Sequence, residues 1–256
     1  MDIQADEQFY GDGKSGLGSS AAVICSVLSV ICKHLGLESK PLLHLACQVA
    51  NSKAQNKVGS GFDIAACLFG SHVFRRIACP ELASLSNSLS RSALEDVLER
   101  YPWDHAEPFT LSSAYHVVLA PMGQGSNTRI LAAQVTKWFQ SAATGPLLFD
   151  TLQALNQEVL GLLQHEDDTR LRRATEEVWA LQRQLSELSG VEVLPESVCA
   201  DLRRVVAEEP AVVLAGVPGA GGYDAAYFVL RAESWSAACS KVEAILGRHC
   251  LQCEAR

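Results

Sequence analysis

The stretch GKSGLGSSAAV, residues 13–23, decides the fold because three phosphate-binding patterns overlap in it. Gly11, Gly13 and Gly16 form GxGxxG, and a glycine-lysine-serine triplet matches the end of a Walker A loop. The third pattern, GLGSSAA, begins at Gly16. Each pattern belongs to a different fold, so the neighbouring residues must distinguish them.

Spacing and context remove two of these interpretations. A Walker A loop ending at Lys14 and Ser15 needs a glycine at position 8, where the chain has Gln8. A dinucleotide-binding fingerprint follows a buried strand, and the preceding residues QADEQFY are too polar to form one. Glu38 supplies the acid that this fingerprint needs, but glycines and an acid without the strand are a weak signal.

The third pattern, GLGSSAA, has the chemistry of an anion-binding helix start. Gly16 and Gly18 let the backbone approach an anion, and Ser19 and Ser20 open a segment whose apolar residues recur at helical spacing. Unpaired N–H groups and the helix dipole favour phosphate at such a start. A glycine turn before a capped helix fits the same residues, so this motif alone leaves both interpretations open.

Two further loops favour the phosphate interpretation. GSGFD at 59–63 exposes the carboxylate of Asp63 after two glycines, although aspartate also caps helices. PGAGGYD at 218–224 joins two apolar segments and is longer than a tight hairpin requires. Because this second loop has almost no side chains, we expect something to come close to its backbone.

Together, the three loops resemble those of the GHMP kinase superfamily of small-molecule kinases. GLGSSAA is similar to the family's ATP phosphate loop, GSGFD to the segment with its active-site aspartate, and GVPGAGGYD at 216–224 to its C-terminal glycine motif. Within the superfamily, KSGLGSSA, VGSGFDIAACLFGS and LAGVPGAGGYDA most resemble the eukaryotic phosphomevalonate kinases. The combination is specific, although each loop alone is not.

The resemblance implies an α+β GHMP kinase fold with two domains. Residues 1–105 would be the C-terminal part of the ATP-binding N-terminal domain, an α/β domain of the kind also found in a ribosomal protein. Residues 106–256 would be the C-terminal domain, whose predicted order of strand, helices, strand, strand, helix, strand is that of a ferredoxin-like α+β fold. Relatives carry a further motif before the phosphate loop, so we expect this polypeptide to be an N-terminally truncated form.

The resemblance also implies an activity and the residues that perform it. Phosphomevalonate kinases transfer the γ-phosphate of ATP to 5-phosphomevalonate, which gives 5-diphosphomevalonate in the mevalonate route to isoprenoids and sterols, with Mg²⁺ as cofactor. The implied residues are Asp63 and Lys57 for catalysis, Lys14, Gly16, Leu17, Gly18, Ser19, Ser20, Ala21, Gly219, Ala220, Gly221 and Gly222 for ATP, Ser60, Gly61, Arg75, Gly125, Ser126 and Thr128 for the acceptor, and Ser20 for the metal.

The chemistry of such an acceptor limits what Asp63 must do. The second pKa of a phosphate monoester is about 6, so the attacking oxygen is largely ionised at neutral pH and a strong base is unnecessary. Positioning a cation or the acceptor suits this aspartate better. Two polyanions must also be brought together by cations, each of which is equally a candidate surface charge: Lys14, Lys57, Arg75, Arg76 and Arg129.

Composition excludes several other classes of protein. The 256 residues are 48% hydrophobic and 20% charged, with a net charge of -8, which argues against a general binder of nucleic acid or anionic membrane. The start MDIQADEQ is neither a signal nor a transit peptide, and no apolar run reaches the roughly 18 residues of a membrane span. We predict a cytoplasmic protein of globular type.

The nine cysteines fit buried thiols in a reducing compartment better than a disulfide framework. One CxxC, from Cys250 to Cys253, leaves zinc or redox chemistry open beside a role as ordinary core cysteines. Two alternatives to the kinase also stay open. One is an inactive fragment or pseudokinase that serves as a binding module, and the other is a sister GHMP kinase that phosphorylates a small-molecule hydroxyl.

Overall fold

A computed structural model describes residues 18–87, 90–103, 106–123 and 128–253, and the side chains of 128 and 129 lie outside this description. The chain divides into two compact units, the first ending at Thr110 and the second beginning at Leu111. That these units correspond to the two predicted domains, 1–105 and 106–256, stays a prediction.

The first unit is mainly helical. Its helices and strands are α1 (Ser19–His34), α2 (Lys40–Gln55), α3 (Phe62–Phe69), β1 (His72–Val73), α4 (Leu82–Leu85), α5 (Arg91–Arg100) and β2 (Glu107–Pro108). β1 and β2 pair antiparallel, with His72 opposite Pro108. The alternation of SHVFRRI predicts a strand over 71–77, but only His72 and Val73 pair, and the partner strand β2 is equally short.

The start of each of the first two helices is set by its local sequence. Gly18 precedes α1 in the left-handed conformation (φ 69°), which glycine adopts without a steric penalty. Ser39 precedes Lys40 and Pro41 in the sequence, which predicts a helix cap, and in the structure its hydroxyl accepts a hydrogen bond from Leu42 N at the start of α2. A small core of Ala21, Cys25, Cys47 and Ile64 joins α1 and α2 to α3.

The spacing of Ser92 and Glu95 is that of a capping box and predicts a helix start at Ser92, which is wrong by two residues. Ser90, rather than Ser92, caps this helix, since the Ser90 hydroxyl accepts a hydrogen bond from Ala93 N at 3.2 Å. The competing candidate Ser92 lies inside the first turn, where its hydroxyl is 3.5 Å from that of Ser90. Ser90 and Ser92 are separated by one residue and both suit a helix cap, so the sequence alone did not decide between them.

The second unit has the predicted element order. Its elements are β3 (Tyr115–Pro121), α6 (Thr128–Ser141), α7 (Gly145–His165), α8 (Asp168–Ser189), α9 (Glu196–Glu208), β4 (Val212–Gly216), β5 (Ala225–Arg231), a short 3-10 helix (Ala232–Ser234), α10 (Trp235–Leu246) and β6 (Leu251–Cys253). The strands form one antiparallel sheet in the order β4-β5-β3-β6. This order confirms the ferredoxin-like prediction, because the first and third strands of the βαββαβ unit are neighbours at the centre.

Helices cover the sheet and form the core of this unit. Trp179 of α8 is fully buried, and its indole N–H donates to Ala215 O of β4 at 3.0 Å. Val118, Leu202 and Phe228 are fully buried in the same cluster. The pairing of β4 with β5 and the burial of both strands in this core hold the ends of the loop between them in place. Over the described residues, none of the helices combines the length and hydropathy needed to cross a bilayer.

Candidate active site

The start of α1 presents backbone N–H groups at the predicted phosphate loop. The first helical hydrogen bond runs from Ala22 N to Gly18 O, so the N–H groups of Ser19, Ser20 and Ala21 point out of the helix start. Ser20 is exposed, Ser19 is half-buried and Ala21 is fully buried. An outward hydroxyl beside three N–H donors can bind an anion.

Asp63 lies in the first turn of α3, after a glycine that sets its position. Gly61 precedes the helix at φ 87°, a backbone conformation that side chains other than glycine rarely adopt. Asp63 Oδ1 accepts a hydrogen bond from Ile64 N at 3.0 Å, and over the described residues its second oxygen has no hydrogen-bond partner. The side chain is half-buried, so the carboxylate can contact a ligand while its backbone is fixed.

Folding brings these two helix starts together. A Cβ placed on Gly18 would lie 3.3 Å from the Cβ of Asp63, which is closer than most such contacts. Two features therefore favour glycine at position 18: its left-handed backbone conformation, and the side chain of Asp63, which leaves little room for a Cβ. Because position 18 has no side chain, the side chain of Asp63 can lie next to the start of α1, where we expect phosphate to bind.

A buried polar network that the sequence analysis missed supports the Gly59–Asp63 loop. Gln48 Nε2 donates to Gly61 O at 3.0 Å and lies 3.2 Å from His44 Nε2, and both side chains are buried. Because an amide nitrogen only donates, His44 Nε2 accepts, and its Nδ1–H donates to Trp103 O at 2.8 Å. The available signal was a pair of polar residues at i, i+4 on the face of α2 that also carries the apolar Leu45 and Val49.

Burial changes the titration of this network. Desolvation lowers the pKa of His44 below its ordinary value, and the hydrogen bond to Trp103 O opposes this shift only in part. The imidazole also meets Phe69 and Trp103 edge-on, with ring centroids 5.2 Å and 5.4 Å away. A neutral His44 is therefore the form that supports the loop.

A cleft of about 400 Å³ opens beside the same loop. Gly59, Ser60, Gln48 and Trp103 are among the residues that line it, and Arg76 adds a positive charge. Ser60 is exposed, as a residue that contacts an acceptor must be.

The predicted cationic residues Arg75 and Arg76 have different surroundings in the structure. Arg76 Nη2 donates to Gly59 O at 3.4 Å, whereas Arg75 pairs with Glu107 at 3.5 Å on the surface. Lys57 is exposed and, among the described residues, forms no ion pair with Asp63. The structure thus places Arg76 rather than Arg75 at the loop, and the acceptor role of Arg75 and the catalytic role of Lys57 stay predictions.

In the second unit, the glycine-rich loop after β4 packs against the backbone of Val193, which precedes α9. A Cβ on Gly221 would lie 2.0 Å from Val193 O, and Gly222 N donates to the same oxygen at 2.9 Å. Gly219, at φ 64°, has no atom within 4 Å of such a Cβ, and Ala220 is half-buried. The expected close approach to backbone is thus made at Gly221 by Val193, while the space beside Gly219 is open.

Several predicted residues lie outside the described part of the chain. They are Lys14, Gly16, Leu17, Gly125 and Ser126. Thr128 begins α6, directly after the undescribed residues 124–127. Arg248, which the sequence analysis missed, contacts the end of β3 and the residues just after it: its Nη1 donates to Pro121 O at 3.4 Å and would be 2.6 Å from a Cβ on Gly123.

The fold and the two juxtaposed loops define a class of protein. Residues 12–71, which contain both loops, match the family described as GHMP kinases N terminal domain. Taken with the similarity to solved structures given below, this match confirms the predicted resemblance and the GHMP kinase fold.

Two curated relatives of this chain are phosphomevalonate kinases. The phosphomevalonate kinase of Aspergillus fumigatus is 30% identical over 249 residues, which cover 85% of this chain and 50% of the relative. The peroxisomal phosphomevalonate kinase of Arabidopsis thaliana is 28% identical over 287 residues, covering 86% and 55%. The chain spans about half the length of the curated relatives it matches.

A solved structure supports the fold. The phosphomevalonate kinase of Streptococcus pneumoniae, in complex with phosphomevalonate and AMPPNP, superposes with a TM-score of 0.69 at 16% identity. The match covers 95% of this chain and 70% of that protein. At this identity the likeness concerns the fold alone.

Proposed function

We propose that this chain carries the phosphate-binding and aspartate elements of a kinase that transfers the γ-phosphate of ATP to 5-phosphomevalonate, giving ADP and 5-diphosphomevalonate. The observation that carries the proposal is the contact of Gly18 with Asp63 at the start of α1. The relatives named above are phosphomevalonate kinases, which favours this acceptor within the GHMP class.

The proposed reaction needs little proton chemistry. An oxygen of the acceptor phosphate forms a bond to the γ-phosphorus, and the bond from that phosphorus to the oxygen bridging to the β-phosphate breaks, so that ADP leaves. The attacking oxygen is already largely ionised, since its pKa is about 6. In this scheme Asp63 orients the reactants, and the outward N–H groups at Ser19 to Ala21 bind the nucleotide phosphates.

Mg²⁺ fits the side chains at this position. The Ser20 hydroxyl and the Asp63 carboxylate are hard oxygen donors, which magnesium prefers, and both belong to the helix starts described above. When bound with ATP, the ion would neutralise charge on the phosphates. Ser20 is the predicted protein ligand, and we add Asp63 as a second.

The cleft beside Gly59 supports a proposal for the acceptor. Its apolar walls with one arginine suit a small organic anion, and Arg76 is the cation already in contact with the loop. We assign Arg76 to binding of the acceptor together with Ser60 and Gly61. The proposed roles of Thr128 and of Gly219 to Gly222 follow the resemblance, as do those of the predicted residues outside the described part.

Release of ADP by the 256-residue chain tests this function, with phosphomevalonate, mevalonate and homoserine offered separately. We expect turnover with phosphomevalonate, and we expect Asp63→Asn to lower kcat by about tenfold to a hundredfold, below the largest effects of losing a general base. The matched control Asp96→Asn changes an exposed carboxylate that pairs with Arg100 and should leave kcat unchanged.

Other outcomes distinguish the alternatives. Binding of AMPPNP with Mg²⁺ in a calorimeter, without ADP release from any acceptor, would favour the binding module. Turnover with mevalonate or homoserine and a much larger loss in Asp63→Asn would indicate a sister kinase acting on a hydroxyl. We further propose that the protein is cytoplasmic; fluorescence microscopy of the tagged protein can test this against the peroxisome, the location in the name of the plant relative.

A further inference from the structure

The last helix and the segment after it bring two thiols and a carboxylate together. Cys239 and Glu243 lie one turn apart on one face of α10, at i and i+4. Cys250 returns to the same face after Gly247, which ends the helix in the left-handed conformation. The two sulfur atoms and a Glu243 carboxylate oxygen all lie within 4.8 Å of one another.

We propose that Cys239, Glu243 and Cys250 form a binding site for a thiophilic divalent cation of the zinc class. This site lies in the second unit and does not depend on the proposed kinase function. Two sulfur donors select zinc-like ions over magnesium and calcium, which prefer oxygen ligands. Three protein ligands leave the fourth tetrahedral position to water.

The geometry needs only a small adjustment to reach coordination distances. Zinc–sulfur bonds are about 2.3 Å, so donor atoms at the corners of a tetrahedron lie about 3.8 Å apart. The three donor atoms lie within 4.8 Å of one another, so each needs to move by about 1 Å or less to reach this spacing. Small rotations of the side chains would produce such a shift.

The carboxylate is already held in position by neighbours. Glu243 Oε1 accepts a hydrogen bond from Cys250 N at 2.8 Å and contacts His249 Nδ1 at 2.6 Å. Second-sphere contacts of this type orient a metal ligand. Cys250 is 5% exposed at the edge of the main hydrophobic cluster, while Glu243 and Cys239 are half-buried, so an ion could enter from the solvent side.

The structure also changes which cysteines belong together. The sequence pairs Cys250 with Cys253 as CxxC, but the second cysteine lies in β6, where it is opposite Val117 of β3. Residues three apart in an extended segment point to opposite faces, so this CxxC cannot chelate one ion without bending the strand. The cysteine close to Cys250 in space is instead Cys239, which precedes Cys250 by eleven residues in the sequence.

A bound ion would stabilise the short edge strand β6. β6 contains three residues and lies at the edge in the order β4-β5-β3-β6. The proposed ligands join α10 to the residue directly before β6. Binding should therefore stabilise the attachment of β6 to β3 and raise the melting temperature of the chain.

Cobalt titration of the reduced, metal-free 256-residue chain tests the site, because Co²⁺ in tetrahedral thiolate coordination has intense visible bands. We expect one equivalent of Co²⁺ to bind with these bands and Zn²⁺ to displace it. Cys239→Ser, Cys250→Ser and Glu243→Gln should each weaken binding by about tenfold or more. Zn²⁺ at about a hundred times its Kd should raise Tm by roughly 5 °C.

Matched variants keep the outcome unambiguous. Cys253→Ser removes the neighbouring thiol outside the cluster and should leave the cobalt spectrum and affinity unchanged. Glu243→Gln keeps an oxygen that can accept from Cys250 N, so it tests ligand charge without disrupting the fold. Cobalt bands that persist in Cys239→Ser and Cys250→Ser, an equal loss in Cys253→Ser, or no stoichiometric binding by the unaltered chain would each overturn the proposal.

Discussion

Two glycine-rich loops of this protein, Gly59–Asp63 and Pro218–Asp224, are similar in composition but are supported by different kinds of atoms. Gly61 packs against the side-chain amide of Gln48, which is itself hydrogen-bonded to His44. Gly221 packs against a backbone carbonyl, that of Val193. A side chain can rotate away from an added methyl group, but a carbonyl within folded backbone cannot move alone. The first loop should therefore be adjustable and sensitive to pH, and the second should be rigid.

The largest expected effect comes from Gly221→Ala. Its Cβ would overlap Val193 O at 2.0 Å, and its φ of 76° is unfavourable for alanine. Left-handed strain of about 1–2 kcal/mol, a lost hydrogen bond of about 1 kcal/mol and overpacking of about 1–3 kcal/mol add to a loss of roughly 4 kcal/mol. Urea denaturation followed by circular dichroism measures it.

Gly219→Ala is the matched control for this substitution. Gly219 has a similar φ of 64° but open space around it, so only the backbone strain of about 1 kcal/mol should appear. Equal losses for the two variants would mean that backbone strain alone, and not the carbonyl of Val193, requires glycine in this loop.

Gln48→Ala should have the next largest effect, on the first unit. It removes donors to Gly61 O and His44 Nε2, and a buried acceptor left unpaired costs about 1–3 kcal/mol. The same residue type on the same helix gives the control: Gln55 donates to Asn51 at 2.8 Å from a less buried position. Hydrogen exchange resolved by peptide should show lost protection over 59–64 in Gln48→Ala only. Equal losses in both variants would contradict a special role for Gln48.

The fold was more predictable from the sequence than the support of its loops. Element order and apolar spacing gave the ferredoxin-like unit, because burial of one face imposes a period that can be read from residues such as Val212 to Gly216. The Gly18 and Asp63 motifs were found by local composition. Their contact, and the support from Gln48, depend on how α1, α2 and α3 pack, and no local pattern records such packing.

A smaller effect is expected from Gly61→Ala, and a double-mutant cycle gives its cause. The new Cβ would lie 2.5 Å from Gln48 Nε2, an atom at the end of a flexible side chain, so we expect a loss of about 2 kcal/mol. In the Gln48→Ala background the obstacle is absent, and the second substitution should cost about 1 kcal/mol less. Strict additivity of the two losses would show that the amide does not restrict position 61.

The smallest effect is the pH dependence that His44 gives to the first loop. Its pKa is lowered by burial from an ordinary value of 6.5, so below that pH the unfolded chain binds a proton that the folded chain does not. Stability is therefore complete above about pH 6.5 and falls with decreasing pH until the lowered pKa is reached, by at most about 1.4 kcal/mol per pH unit. His44→Asn, whose amide can donate to Trp103 O, should flatten this part of the curve, whereas His34→Asn on the exposed end of α1 should not. Urea titrations between pH 5 and 7, at roughly half-unit steps around the His value, measure the slopes. An unchanged slope in His44→Asn would mean that the imidazole titrates alike in both states, and the first loop would then be no more sensitive to pH than the loop supported by Val193.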